Sequence, residues 1–326
     1  MRSDAARAAA GSLRRAPATP TSPPARVLSA DELQVRRLSD GALLQTVDLP
    51  GIGTLSGLSG KRSHDDFFVN FTSFTDPGSI YRGSIGDGGA RVDLELVQRS
   101  EVPGFDPEDF ETRQEFVTSR DGTRVPMFII HRRGRPVDGS ALTLLYGYGG
   151  FNVSILPTFS VSRIAFLRAY DGVAAVANLR GGGEYGVSWR DAGSVMNKQN
   201  VFDDFQSCAE HLIERGYTSR GRVVIEGGSN GGLLVAACCN QRPDLFGCAI
   251  AKVGVMDMLR FHLHTIGHAW KTGYGCADDP EQFAYLLGYS PLHNVRVPEL
   301  GTRNYPPMLL TTADHDDRVV PSHRWV

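Results

Sequence analysis

The sequence predicts an α/β protein, a doubly wound and mostly parallel sheet preceded by a small all-β piece. Three observations carry that reading. Strand-like and helix-like segments alternate over roughly the last 200 residues. Short β-like runs between Asp-Gly and Pro-Gly turn signals fill residues 31–105. A glycine-rich turn, Gly227-Gly228-Ser229-Asn230-Gly231-Gly232, joins an apolar strand to an apolar helix.

Taken in order, residues 1–26 hold five arginines, eight alanines, four prolines and a single acid, Asp4. Such a composition builds no core, so residues 1–30 are expected to be disordered. The Arg-rich, acid-poor character vaguely matches an organelle transit peptide, but Pro17, Pro20, Pro23 and Pro24 oppose an amphipathic helix. In 31–105, Leu33–Leu38 and Leu43–Val47 flank Ser39-Asp40-Gly41, and Phe67–Phe71 and Ile80–Tyr81 flank Asp76-Pro77-Gly78. Asp87-Gly88-Gly89 precedes a further run at Arg91–Val97.

Beyond Pro103-Gly104, Glu115–Thr118 and Val125–His131 read as a hairpin around Arg120-Asp121-Gly122. A strand at Leu142–Tyr146, a helix at Ser160–Ala169 and a strand at Val173–Asn178 follow. The next helix begins near Asn200, with Asp203 and Asp204 placed to complement its dipole and Gly216 to end it. Its apolar positions Phe202, Phe205, Cys208, Ala209, Leu212 and Ile213 keep helical spacing. Val223–Ile225 (strand), Leu233–Cys239 (helix), Cys248–Val253 (strand) and Met308–Thr312 (strand) complete the alternation in residues 106–326.

The 34 Lys+Arg against 36 Asp+Glu leave a net charge of −2, which gives no electrostatic footprint for nucleic acid or an anionic membrane. No apolar run approaches the ~20 residues of a membrane-spanning helix. Five cysteines without CxxC spacing suit small buried hydrophobes better than a disulfide framework or zinc site. A reducing, cytoplasmic location is therefore expected, with no metal and no cofactor.

The chemistry concentrates at Ser229. Gly-x-Ser-x-Gly between a strand and a helix is the context of a nucleophile elbow, and hence of an α/β-hydrolase. There the serine sits on a strained turn and the N–H of Asn230, at the helix N-terminus, points at a developing oxyanion. A P-loop is disfavoured because its lysine is missing. The triad order Ser, acid, His places the acid after a later strand, where Met308–Thr312 runs into Ala313-Asp314-His315-Asp316-Asp317-Arg318.

Five segments together, Leu145–Asn152, Asn178–Gly186, Gly227–Gly232, Thr265–Trp270 and Thr312–Pro321, closely resemble the prolyl oligopeptidase family of serine peptidases, continuously from about residue 33 to 320. The resemblance implies an α/β-hydrolase domain at 106–326, with 31–105 a remnant of the last propeller blade or blades and their connection. It implies cleavage of short proline-containing peptides after proline. Ser229 is then the nucleophile, Asp316 the acid, and Asn230 with Tyr148 the oxyanion hole. Arg318 binds a substrate carbonyl, and Phe151, Val255, Ile266, Trp270, Tyr274 and Val319 line the proline pocket.

The chain departs from the family pattern at the base. The family's histidine belongs on a loop roughly 30 residues beyond the acid, after one more helix and strand, whereas ten residues follow Asp316 (326 − 316). His315 adjoins the acid and His323 falls where a helix begins in the family. A chain cut short at both ends, lacking its catalytic histidine and inactive as it stands, is the expectation. A catalytically dead proline-binding fragment and a different hydrolase such as an esterase are the alternatives.

Overall fold

The computed structural model describes residues 8–10, 31–86, 91–297 and 304–323, and the chain divides into two compact units. One comprises Met1–Thr112 with Leu156–Ala165, the other Arg113–Ile155 with Phe166–Val326.

In the first unit a three-stranded sheet holds β1 (Ala8–Ala10), β2 (Leu33–Arg37) and β3 (Leu43–Val47). β1 lies inside the segment expected to lack structure. It pairs antiparallel with β2, Ala8 opposite Arg37 and Ala10 opposite Val35, a backbone ladder that needs no particular side chain. The rest of that expectation, on residues 1–30, falls outside the described residues. A four-stranded antiparallel meander follows: β4 (Thr54–Gly60), β5 (Asp66–Thr72), β6 (Ser79–Ser84) and β7 (Glu95–Arg99). β5 alternates strictly, with Phe67, Val69 and Phe71 inward. These three join Leu33, Val35, Val47, Leu55, Tyr81 and Val92 in one small core. β4 escapes sequence reading because Thr-Leu-Ser-Gly-Leu-Ser-Gly has one β-branched residue, Thr54, among two serines and two glycines. The run expected at 91–97 forms later, as β7, and the Asp87-Gly88-Gly89 turn is outside the described residues.

The larger unit is organised on a seven-stranded sheet. In chain order its strands are β8 (Phe110–Thr118), β9 (Arg124–Arg132), β10 (Thr143–Tyr146), β11 (Val173–Ala177), β12 (Val223–Gly228), β13 (Cys248–Lys252) and β14 (Met308–Thr311). Across the sheet the order is β14-β13-β12-β10-β11-β9-β8. From β11 to β14 every pairing is parallel, and β9 joins β11 antiparallel. β11 is buried at all five positions, as a two-sided strand must be. The helices are α1 (Val161–Tyr170), α2 (Val187–Asp191), α3 (Gln199–Glu214), α4 (Asn230–Gln241), α5 (Lys271–Tyr274) and α6 (Pro280–Tyr289).

α3 buries Val201, Phe202, Phe205, Cys208, Ala209 and Leu212 on one side and ends at Gly216, whose φ of 76° suits glycine. Asp203 and Asp204 do not serve its dipole, because the helix starts earlier and its first turn holds no acid. Asp204 is instead fully buried and accepts from Arg180 Nη2 at 2.6 Å and from Ser119 Oγ at 2.6 Å. Arg180 also pairs with Asp121, whose carboxyl falls to about 2. This buried ion cluster ties the β8–β9 hairpin to α3 and to the loop after β11. All five cysteines are free, and burial pushes the Cys239 thiol up to about 12.

Candidate active site

Parallel strands end on the same edge of the sheet, so the loops after β10, β11, β12 and β14 converge there. Ser229 occupies the turn between β12 and α4 with φ 56° and ψ −116°, a conformation L-residues rarely adopt. Its backbone is locked from both sides. The N–H donates to Lys252 O at 2.8 Å, and the carbonyl accepts from Gly232 N at 2.9 Å and Leu233 N at 3.2 Å. A Cβ on Gly227 would come 2.3 Å from Gly231 O, so strand and helix meet this closely only through glycine. The hydroxyl makes no cap to the helix and is half-exposed.

Asn230 follows as the first residue of α4, so its N–H has no acceptor within the helix. Its side chain is buried and makes three of its four possible hydrogen bonds. Nδ2 donates to Tyr148 O, and Oδ1 accepts from Tyr274 OH and from Lys198 Nζ, both at 3.0 Å. Lys198 Nζ also donates to Gly149 O at 2.8 Å. The ammonium is only 2% exposed, and burial brings its pKa down from 10.5 to about 7. The network clamps the Tyr148–Gly149 backbone to the start of α4. Gly150 admits the Asn230 amide, since a Cβ there would lie 2.6 Å from Nδ2. Tyr148 is half-buried, and desolvation, aided by Tyr146 and opposed by Arg318, raises its phenol pKa.

An aromatic wall stands beside this turn. Phe151 meets Tyr274 edge to face at 5.1 Å, Tyr274 meets Phe261 at 5.3 Å, and Phe261 stacks on Trp270 at 6.3 Å. Val255 and Val319 are buried in the same core, against which Phe151 and Trp270 pack. Ile266 is 41% exposed, at the margin of this group. The structure brings together Ser229, Asn230, Tyr148, Phe151 and Tyr274 by direct bonds or ring contacts or as chain neighbours, and Trp270 through Phe261.

The acid loop is looser. Asp316 Oδ1 accepts from Arg318 N at 3.1 Å and Val319 N at 2.9 Å, a local turn that leaves the carboxylate half-exposed. Among the described residues no histidine bonds to Ser229 or to Asp316. His315 is 94% exposed in its side chain and pairs with Asp314. His323 is buried, accepts from Asp257 N at 3.3 Å and packs on His264. Sequence reading missed Lys198, because Asn197-Lys198-Gln199-Asn200 looks like a solvated polar turn.

A parallel sheet with a strained serine between strand and helix, its neighbouring N–H free, defines the class: an α/β-hydrolase. The model of the prolyl oligopeptidase family matches residues 157–325, and that of the family's N-terminal β-propeller domain matches 26–92. The chain belongs to the prolyl oligopeptidase family, as an α/β-hydrolase preceded by a propeller segment. It is 47% identical over 289 residues to the prolyl endopeptidase of Dictyostelium discoideum, spanning 88% of this chain and 37% of that protein. With prolyl oligopeptidase A of Galerina marginata it shares 46% over 267 residues, 82% of this chain and 36% of the relative. Among solved structures, one from a study of two prolyl endopeptidases superposes with a TM-score of 0.81 at 48% identity, over 90% of this chain and 42% of the other. Prolyl oligopeptidase B of Galerina marginata gives 0.81 at 37% identity, over 90% and 41%. The chain thus spans about two fifths of the length of these relatives.

Proposed function

We propose that this chain carries the nucleophile, the orienting acid, the oxyanion hole and the proline pocket of a serine endopeptidase that cleaves short peptides on the carboxyl side of proline. The observation that carries the reading is the backbone of Ser229, fixed at φ 56° with its hydroxyl unspent, next to the clamped Asn230. Ser229 Oγ attacks the carbonyl after proline and an acyl-enzyme forms, which water then hydrolyses. Asn230 N–H and Tyr148 OH stabilise the tetrahedral oxyanion. Phe151, Val255, Ile266, Trp270, Tyr274 and Val319 receive the pyrrolidine ring, and Arg318 takes an upstream substrate carbonyl. Asp316 orients an imidazole. None of the described histidines is placed to be that imidazole, so residues 1–326 alone lack a base. Losing the base of a triad costs about 10⁶ in turnover.

The test is hydrolysis of a short blocked peptide with a fluorogenic group after proline. Residues 1–326, their Ser229→Ala variant, and a version extended at its C-terminus by the corresponding relative's segment are compared. Expected is background rate for the first two and turnover for the third, itself abolished by Ser229→Ala. Turnover of 1–326 that Ser229→Ala removes would overturn the absence of a base. Turnover of esters without prolyl peptides in the extended chain would overturn the proline specificity. Saturable binding of a prolyl ligand to 1–326, without turnover, is expected from a pocket assembled ahead of the base.

A further inference from the structure

We propose that His262, Cys276 and Asp278 form a site for a divalent transition ion of the zinc type. The three are separated in sequence and share no motif, which is why the cysteine spacing gave no sign of them. Folding brings one ligand atom from each within 4.8 Å of the others. His262 Nε2 lies 3.2 Å from Asp278 Oδ1, and Cys276 Sγ lies 3.2 Å from Asp278 Oδ2. Around a tetrahedral ion with bonds of about 2.0–2.3 Å, ligand atoms stand roughly 3.3–3.7 Å apart. The two measured contacts use different Asp278 oxygens, and a set with one atom from each residue, all within 4.8 Å, closes to those separations by about 1–1.5 Å at most.

The positions are built rather than accidental. His262 has a side chain only 4% exposed and is wedged edge to face against Phe261 at 5.5 Å. Its Nδ1 is buried without a hydrogen-bond partner, so the ring's polar contact is Nε2 with Asp278, the atom that faces the cluster. The Cys276 loop is fixed by its N–H donating to Gln282 Oε1 at 2.7 Å, and Asp279 N–H donates back to Cys276 O at 3.2 Å. Asp278 is 71% exposed, which leaves a fourth coordination position open to water. An imidazole, a thiolate and one carboxylate are too soft a set for magnesium or calcium and suit zinc or cobalt(II). On binding, the Cys276 thiol releases its proton to solvent and the sulfur lone pair goes to the metal. Lys271 Nζ, 3.6 Å from Asp278 Oδ2, neutralises the carboxylate when no ion is bound and must move aside.

His262 precedes Trp270, while Cys276 and Asp278 follow Tyr274. A bound ion therefore cross-links the two ends of the segment that carries both rings, which the His262–Asp278 contact already brings together.

The experiment uses the tag-free full chain, stripped with a chelator and titrated with cobalt(II) chloride alone. Expected are a thiolate-to-cobalt charge-transfer band and tetrahedral visible bands that saturate at one equivalent and disappear when zinc is added. Cys276→Ser should abolish the charge transfer, and His262→Gln should weaken binding at least tenfold. Lys271→Met should tighten binding, because the ion no longer competes with the ammonium for Asp278. Circular dichroism establishes that each variant is folded; Cys276 is only partly buried and serine preserves its shape. Absence of a saturable charge-transfer band, or its persistence in Cys276→Ser, overturns the site. Unchanged affinity in Asp278→Asn removes Asp278 from the ligand set and overturns the three-ligand site as well.

Discussion

The residues proposed as nucleophile and acid, Ser229 and Asp316, stand in unlike surroundings. Ser229 lies between β12, whose positions alternate buried and half-buried, and α4, buried from Asn230 to Cys239, and behind it Asn230 bonds to Tyr148, Tyr274 and Lys198, and Lys198 to Gly149. Asp316 follows β14, where Met308, Leu309 and Leu310 are 39%, 55% and 47% exposed and pairing runs to β13 alone. The difference is that the two halves of the proposed site are not equally held by their surroundings. The residues proposed as nucleophile and oxyanion donors are positioned by the interior of the sheet, whereas the proposed acid follows a largely exposed strand.

Mutations should separate the halves by size of effect. Arg180→Met leaves Asp204 buried without its cation and should cost about 3–5 kcal/mol in urea unfolding. A smaller cost would mean that Ser119 and water can satisfy that carboxylate. Lys198 gives the next largest effect, as a pH dependence. The folded ammonium loses its proton near 7 and the unfolded one near 10.5. Between these values the unfolded chain binds more protons, so stability should rise with pH across that window, by a few kcal/mol, and be flat for this group below it. Denaturant midpoints from pH 6.5 to 10 read this directly, and Lys198→Met should remove the rise. Gly227→Ala should cost about 1–3 kcal/mol by pushing β12 from Gly231. On the acid side, Leu309→Lys should change stability by less than about 0.5 kcal/mol while improving solubility. A loss comparable to that of Gly227→Ala would show β14 to be better covered than its exposure implies.

Much of this was legible beforehand because it rests on local rules. The parallel strands from β10 to β14 each lie close to an apolar run of matching length, and Gly-Gly-Ser-Asn-Gly-Gly announces the elbow through the glycines that its close packing requires. α6 was missed, although Asp279 caps it by accepting from Gln282 N and Pro280 opens it, because Phe283 and Leu287 leave its apolar stripe partly exposed. Lys198 was invisible for another reason. A lysine is read as solvated unless tertiary structure supplies acceptors, and its acceptors, Gly149 O and Asn230 Oδ1, lie 49 and 32 residues away in sequence. The same holds for Asp204, read as a helix-dipole partner and found facing Arg180. Asp316 shows the converse. Its position follows from chain order, but nothing in its local sequence fixes what it will face.

The dihedral angles of Ser229 sit close to the first central position of a type II′ turn, a place glycine fills without cost. An evolving lineage that selected only for persistence of the fold would drift to glycine there and gain stability by doing so. Serine at this position therefore keeps a hydroxyl where glycine would fold with less strain, so Ser229→Gly would separate what the fold asks of this turn from what chemistry asks of it.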